Sequence, residues 1–263
     1  MMQDLHTLPQ VRLGIAAVAQ AAPESAWTDR LGIGALHEFY AARQGDAPGL
    51  CGFALLVAVS LARAARLVWI RHADLSREAG APYPPGLAEL GIDPGSILFV
   101  RAANVGHGLQ AGLEAARCAS PAVAFVEISG AARAYDLTAS RRLMHAARQS
   151  GNRVFLLRSA AEPAPSAAET RWQIACAPSV ALAAHAPGAP RFALTLLRDR
   201  HGQEGLAWTL EWNRDRGCFD QCTGPARAAT GHAAAPLSGG VVSFPLHRPG
   251  PPAGRTHRRT ATG

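Results

Sequence analysis

From residue 36 onward, apolar runs and polar breaks alternate along the chain. Leu36 to Tyr40 alternates and is rich in aromatics, which predicts a strand. Residues 41–52 hold Gly45, Pro48, Gly49 and Gly52 and read as a loop. A continuous apolar stretch over 53–65 predicts a helix. The short apolar runs 67–71, 97–101, 122–128 and 153–158 predict strands. Between them, residues 86–90, 107–118 and 136–150 predict helices, the last capped by Asp136 or Thr138 and ended by Gly151-Asn152. Strands that are apolar throughout and alternate with helices belong to a parallel sheet covered on both faces.

After residue 160 the pattern changes. Strand-like pieces at 172–177, 191–197 and 206–212 are joined by turns such as His201-Gly202, which predicts an antiparallel extension of the sheet. Residues 221–263 are rich in Gly, Pro, Ala and Arg and lack apolar periodicity, so a disordered basic tail is expected there. Residues 1–30 read as a weakly structured lead with a helix near 9–21. The expected organisation is a lead (1–30), an α/β domain (31–220) and a tail (221–263).

Composition narrows the chemistry. The chain has 263 residues and a net charge of +7, yet contains no lysine: all 26 basic side chains are arginine. Arg227, Arg248, Arg255, Arg258 and Arg259 lie in the tail with no acid, so only +2 of that +7 belongs to residues 1–220. The five cysteines are odd in number and scattered, as in a reducing compartment. No signal peptide is legible, and the longest apolar run, Leu50 to Ala62, is too short for a bilayer. A cytoplasmic protein with no membrane contact is expected.

Residues 36–60 have the order strand, glycine-bearing loop, helix. This is the layout of a phosphate-binding loop, with Gly45, Gly49 and Gly52 available for close backbone approach to an anion. The loop lysine that reaches the β- and γ-phosphates and the hydroxyl that holds magnesium are missing. Phe53 or Ala54 stands in their place. The loop is therefore degenerate, and conventional ATP hydrolysis is not expected. Glu127, near the end of its strand, falls where a carboxylate of such a domain contacts a metal-bound water. Arg71, Arg101 and Arg158 each close a predicted strand, so an ion-paired rim shared with Glu127 is the competing reading. Arg141, Arg142 and Arg148 make the helix 136–150 basic on one side, fit for phosphates or an acidic partner. No G-x-S-x-G nucleophile motif, histidine triad or metal-ligand grouping is legible, and no metal or cofactor is expected.

The segments ALHEFYAA (35–42), GFALL (52–56), YPPGLAELGID (83–93), VRAANVGHGLQAGLEAARC (100–118), AFVEISG (124–130), DLTASRRLMHAARQSG (136–151) and PSAAETRWQIACAPS (165–179) resemble the ImuA family of damage-inducible mutagenesis proteins. The resemblance runs from Leu36 to about Asp220. It implies a RecA-like core of the P-loop-NTPase type with a decayed ATP site, Glu127 at the Walker B-like position and Arg158 near the strand that leads into a DNA-binding loop. It further implies a non-catalytic accessory role in error-prone translesion synthesis. The implied partners are a Y-family-like polymerase homologue (ImuB), an error-prone replicative-type DNA polymerase and RecA. From their positions at strand ends and on the basic helix, Arg71, Arg101, Arg141, Arg142, Arg148 and Arg158 are the candidate partner or DNA contacts. The alternatives are a nucleotide-binding RecA-like switch and a cell-division inhibitor of the same superfamily.

Overall fold

The computed structural model describes residues 27–61, 66–72, 75, 80–118 and 122–222. The chain divides into compact units at Ala228, and all described residues lie in the first. The predicted helix near 9–21 and the tail from 223 lie outside them.

Nine strands form one sheet: β1 (Ala35–Ala41), β2 (Arg66–His72), β3 (Ile97–Ala102), β4 (Ala122–Ser129), β5 (Arg153–Ser159), β6 (Thr170–Ala177), β7 (Arg191–Asp199), β8 (Ala207–Asn213) and β9 (Cys218–Gln221). Their spatial order is β3-β2-β4-β5-β1-β6-β7-β8-β9. All pairs from β3 through β6 are parallel, and β6 to β9 are joined antiparallel. The mostly parallel sheet with an antiparallel extension is therefore as the apolar pattern predicts. The strand β9 is an addition. It pairs with β8, carries Phe219 into the core, and takes the domain across the expected boundary at 220.

The helices are α1 (Ala47–Leu61), α2 (Pro84–Glu89), α3 (Val105–Arg117) and α4 (Leu137–Ser150). One face of the sheet packs on α1, with Phe39, Phe53, Phe125, Phe155, Trp172 and Trp208 in a single apolar layer. Phe125 and Phe155 stack at 5.6 Å and Phe39 meets Phe155 edge-on at 5.1 Å, geometries that add about 0.5–1.5 kcal/mol per pair beyond area burial. The opposite face packs on α3 and α4 through Leu36, Val126, Ile128, Val154, Leu156, Leu143 and Met144. Gly112 lets α3 lie against β4: an added Cβ would stand 2.5 Å from Val126 Cγ2.

The caps of the outer helices are local. Asn104 accepts the His107 N–H at 2.9 Å, and Asp136 accepts the Ala139 N–H at 2.7 Å. Gly151 ends α4 in the left-handed region at φ 78°, a conformation open to glycine without Cβ strain.

Two expectations are corrected. The loop predicted over 41–52 is shorter, because α1 starts at Ala47 and includes Gly49 and Gly52. Pro48 fits a first helical turn, where its missing N–H has no partner to lose. Leu50, Phe53, Ala54 and Val57 follow at helical spacing and are buried, so packing overrides the low helix propensity of glycine. The lead is also not loose to residue 30. Trp27 is 4% exposed beside Phe53 and Phe219, and Arg30 pairs with Asp199.

The segment Gln44–Leu61 has the length and apolar content of a membrane span. In this fold its buried apolar residues pack into the layer between α1 and the sheet.

Candidate functional site

The sequence places its candidate chemistry at the C-terminal ends of the parallel strands, where ligands gather in open α/β sheets. The structure puts two separate charged clusters there, one on each face.

On the α1 face, side chains alternate along β4 so that Phe125 and Glu127 point the same way. In the neighbouring strand Arg71 is in register with Glu127. Arg71 Nε donates to Glu127 Oε2 at 2.7 Å, and Trp69 Nε1 donates to the same oxygen at 3.0 Å. The Cys51 thiol, reaching from α1, donates to Oε1 at 3.2 Å. Arg71 Nη1 is spent on the Gly80 carbonyl at 2.7 Å, and its guanidinium lies 5.1 Å from the Trp69 ring. Both carboxylate oxygens thus have internal donors, and Glu127 is 9% exposed. Burial, followed by the Glu127 charge, pushes the Cys51 thiol well above its usual range, so it stays protonated and is no nucleophile.

At the head of α1 stands Asp46, 8% exposed. Its Oδ1 accepts the Cys176 backbone N–H at 3.1 Å, which ties the β1–α1 turn to β6. Arg43 Nε is 4.0 Å from Oδ2. A carboxylate immediately before a helix is favoured by the helix dipole. It also sets a negative charge where a phosphate loop needs the opposite. Of the three expected loop glycines only Gly45 is in the turn. Gly49 packs against Cys176, and a Cβ added at Gly52 would meet nothing within 4 Å.

On the α4 face, Glu38 on β1 is fully enclosed. Arg171, in register on β6, donates Nε to Glu38 Oε2 at 2.6 Å, and the Tyr135 hydroxyl donates to Oε1. Arg171 Nη2 also reaches Ser166 Oγ at 2.9 Å and the Ala164 carbonyl, which fastens the 160–169 segment over the sheet. Arg158 lies beside this group, in register with Tyr40 and with its guanidinium 5.7 Å from the Tyr135 ring. Burial and then the Glu38 charge push the Tyr135 and Tyr40 hydroxyls up, holding both neutral.

The single rim expected of Arg71, Arg101, Arg158 and Glu127 is therefore split. Arg71 pairs with Glu127. Arg101 is in register with Arg71 but exposed on the edge strand β3. Arg158 shares the parity of Leu156 and points to the other face, two residues further along the same strand. Arg141, Arg142 and Arg148 are exposed on α4 with His145 between them, and α4 carries no acidic residue. Sequence reasoning missed Cys51, Trp69, Asp46, Glu38, Tyr135 and Arg171. The available signal was Glu38 in the otherwise apolar LHEFY: a carboxylate in a strand covered on both faces needs an inward partner.

Among the described residues no group of three or more His, Cys, Asp or Glu side chains is placed to hold a metal. A cleft of about 680 Å³ lies at the opposite, N-terminal end of β1, lined by Arg30, Ile33, Met144, Arg148, Glu169 and His201 among others.

The fold and these clusters define an α/β domain of mostly parallel sheet with helices on both faces and an antiparallel extension. No family model matches the chain, and the search of curated proteins finds no match. Among solved structures it is similar to the RadB recombinase, at 14% identity and a TM-score of 0.48, over 71% of this chain and 90% of that one.

Proposed function

We propose that this chain is a non-catalytic accessory protein of damage-induced, error-prone translesion synthesis, a RecA-like scaffold that works by docking other proteins in the cytoplasm. The observation that carries the non-catalytic part is the closure of Glu127. Its carboxylate is held by Arg71, Trp69 and Cys51, and Asp46 rather than a lysine heads α1. Phosphoryl transfer needs cations and a free carboxylate at these places.

The docking part draws on the exposed arginines of α4 and on the resemblance to the ImuA family. Arg101, Arg141, Arg142 and Arg148 are exposed and stay in the proposed contact set. Arg71, enclosed in its ion pair, and Arg158, 6% exposed, leave it. The proposed partners are a Y-family-like polymerase homologue, an error-prone replicative-type polymerase and RecA.

The test is binding of the full chain to the purified Y-family-like polymerase. Binding retained by Gly52→Ala and lost in Arg141→Glu/Arg142→Glu is the expected result. Micromolar binding of ATP with magnesium by calorimetry, with phosphate release, would favour the nucleotide-switch reading instead. Filamentation of cells on expression, without a change in damage-induced mutation frequency, would favour the division inhibitor.

A further inference from the structure

The cluster on the α4 face does not balance in charge. Glu38, Arg171 and Arg158 are 0%, 9% and 6% exposed. Glu38 is fully used by Arg171 and Tyr135. Arg158 donates only Nη2, to the Gly130 carbonyl at 3.1 Å, while its Nε and Nη1 are enclosed with no acceptor among the described residues. The Tyr135 ring beside it offers a π-face, which attracts the cation but does not accept its in-plane N–H groups. Two enclosed guanidiniums thus face one carboxylate. Arginine does not escape by losing a proton, and an enclosed charge without a partner is strongly unfavourable. A planar guanidinium with unpartnered donors matches carboxylate and phosphate oxygens.

We propose that Arg158 is the receptor for a small oxyanion, a free phosphate group or a carboxylate, seated at the C-terminal end of β5 beneath the 130–136 and 160–169 segments. Tyr135 would form a wall, and the Glu38–Arg171 pair would hold both the wall and the roof in place. The site is on the opposite face of the sheet from α1, so it is separate from the degenerate phosphate loop. A guanidinium this enclosed accepts a small or terminal anion whole, and excludes a phosphodiester backbone that continues on both sides. The proposal is independent of docking on α4.

The test is thermal unfolding and calorimetric titration of the full chain with inorganic phosphate, with sodium glutamate, and with a single-stranded oligonucleotide lacking terminal phosphates, at constant ionic strength. The expected result is saturable stabilisation by phosphate or by glutamate but not by the oligonucleotide. Whichever anion acts identifies the source. Arg158→Gln should lose at least ~10-fold in affinity, as when a charge-assisted hydrogen bond is removed, while Arg141→Gln/Arg142→Gln retains it. Equal stabilisation of Arg158→Gln, or none of the wild type by either small anion, overturns the proposal. If Arg158→Gln does not fold, the Arg158 Nε–H resonance of the wild type, identified by its loss in Arg158→Lys, should shift on titration. An unmoved resonance likewise overturns it.

Discussion

Arg71 Nε stands 2.7 Å from Oε2 of Glu127, so the carboxylate at the end of β4 is neutralised by the neighbouring strand. Both side chains are about nine-tenths buried, at 10% and 9% exposure. An ion pair this enclosed behaves as a structural unit. Its members are costly to remove singly and much cheaper to remove together.

Glu127→Ala should therefore destabilise the fold by about 3–5 kcal/mol, since it leaves the Arg71 charge enclosed without its partner. Arg71→Met in the same chain should recover a large part of that loss. Urea unfolding of the four members of the cycle measures the coupling. Single-variant losses that simply add in the double variant would mean that the pair is not energetically linked.

Gly112→Ala should reverse sign with its neighbour. In the wild type the new methyl meets Val126 Cγ2 inside van der Waals contact, and overpacking of this kind costs ~1–3 kcal/mol, outweighing the ~1 kcal/mol gained from helix propensity. In a Val126→Ala background the same substitution should stabilise. Denaturant midpoints of the four proteins check this.

His37 should make the fold acid-sensitive. It is fully enclosed and its pKa is lowered from 6.5 to about 4, chiefly by burial. Its ring nitrogens face Thr170 Oγ1 at 2.8 Å and the Gly32 carbonyl at 3.1 Å, an arrangement met by the neutral ring. The unfolded chain takes up its proton near pH 6.5 and the folded chain near pH 4. The folded state is favoured above pH 6.5, and that advantage is lost as pH falls from 6.5 to 4, by about 3 kcal/mol in all. His37→Gln should remove this component from a plot of stability against pH.

Charge reversal on α4 should separate folding from docking. Arg141 and Arg142 are exposed and have no ion-pair partner among the described residues. Arg141→Glu/Arg142→Glu should leave the unfolding free energy within about 0.5 kcal/mol per site. Partner binding should fall and should lose its dependence on salt. Calorimetry at low and moderate ionic strength distinguishes this from a general loss of structure.

The alternation of apolar strands and amphipathic helices is local information. It suffices for the elements from β1 to β8, for the Asp136 and Gly151 caps, and for the change to antiparallel pairing after residue 160. The absence of lysine is equally plain. What the sequence does not determine is which charged groups meet. Glu127 and Arg158 both end strands and read alike, yet the pleat turns one toward α1 and the other toward α4. Gly49 and Gly52 read as loop, because glycine has low helix propensity, but packing of Leu50, Phe53 and Val57 on the sheet pulls them into α1. The partners of Glu38 and Glu127 come from residues 133 and 56 positions away, in Arg171 and Arg71. Such pairings depend on strand order and register, which only the assembled sheet decides.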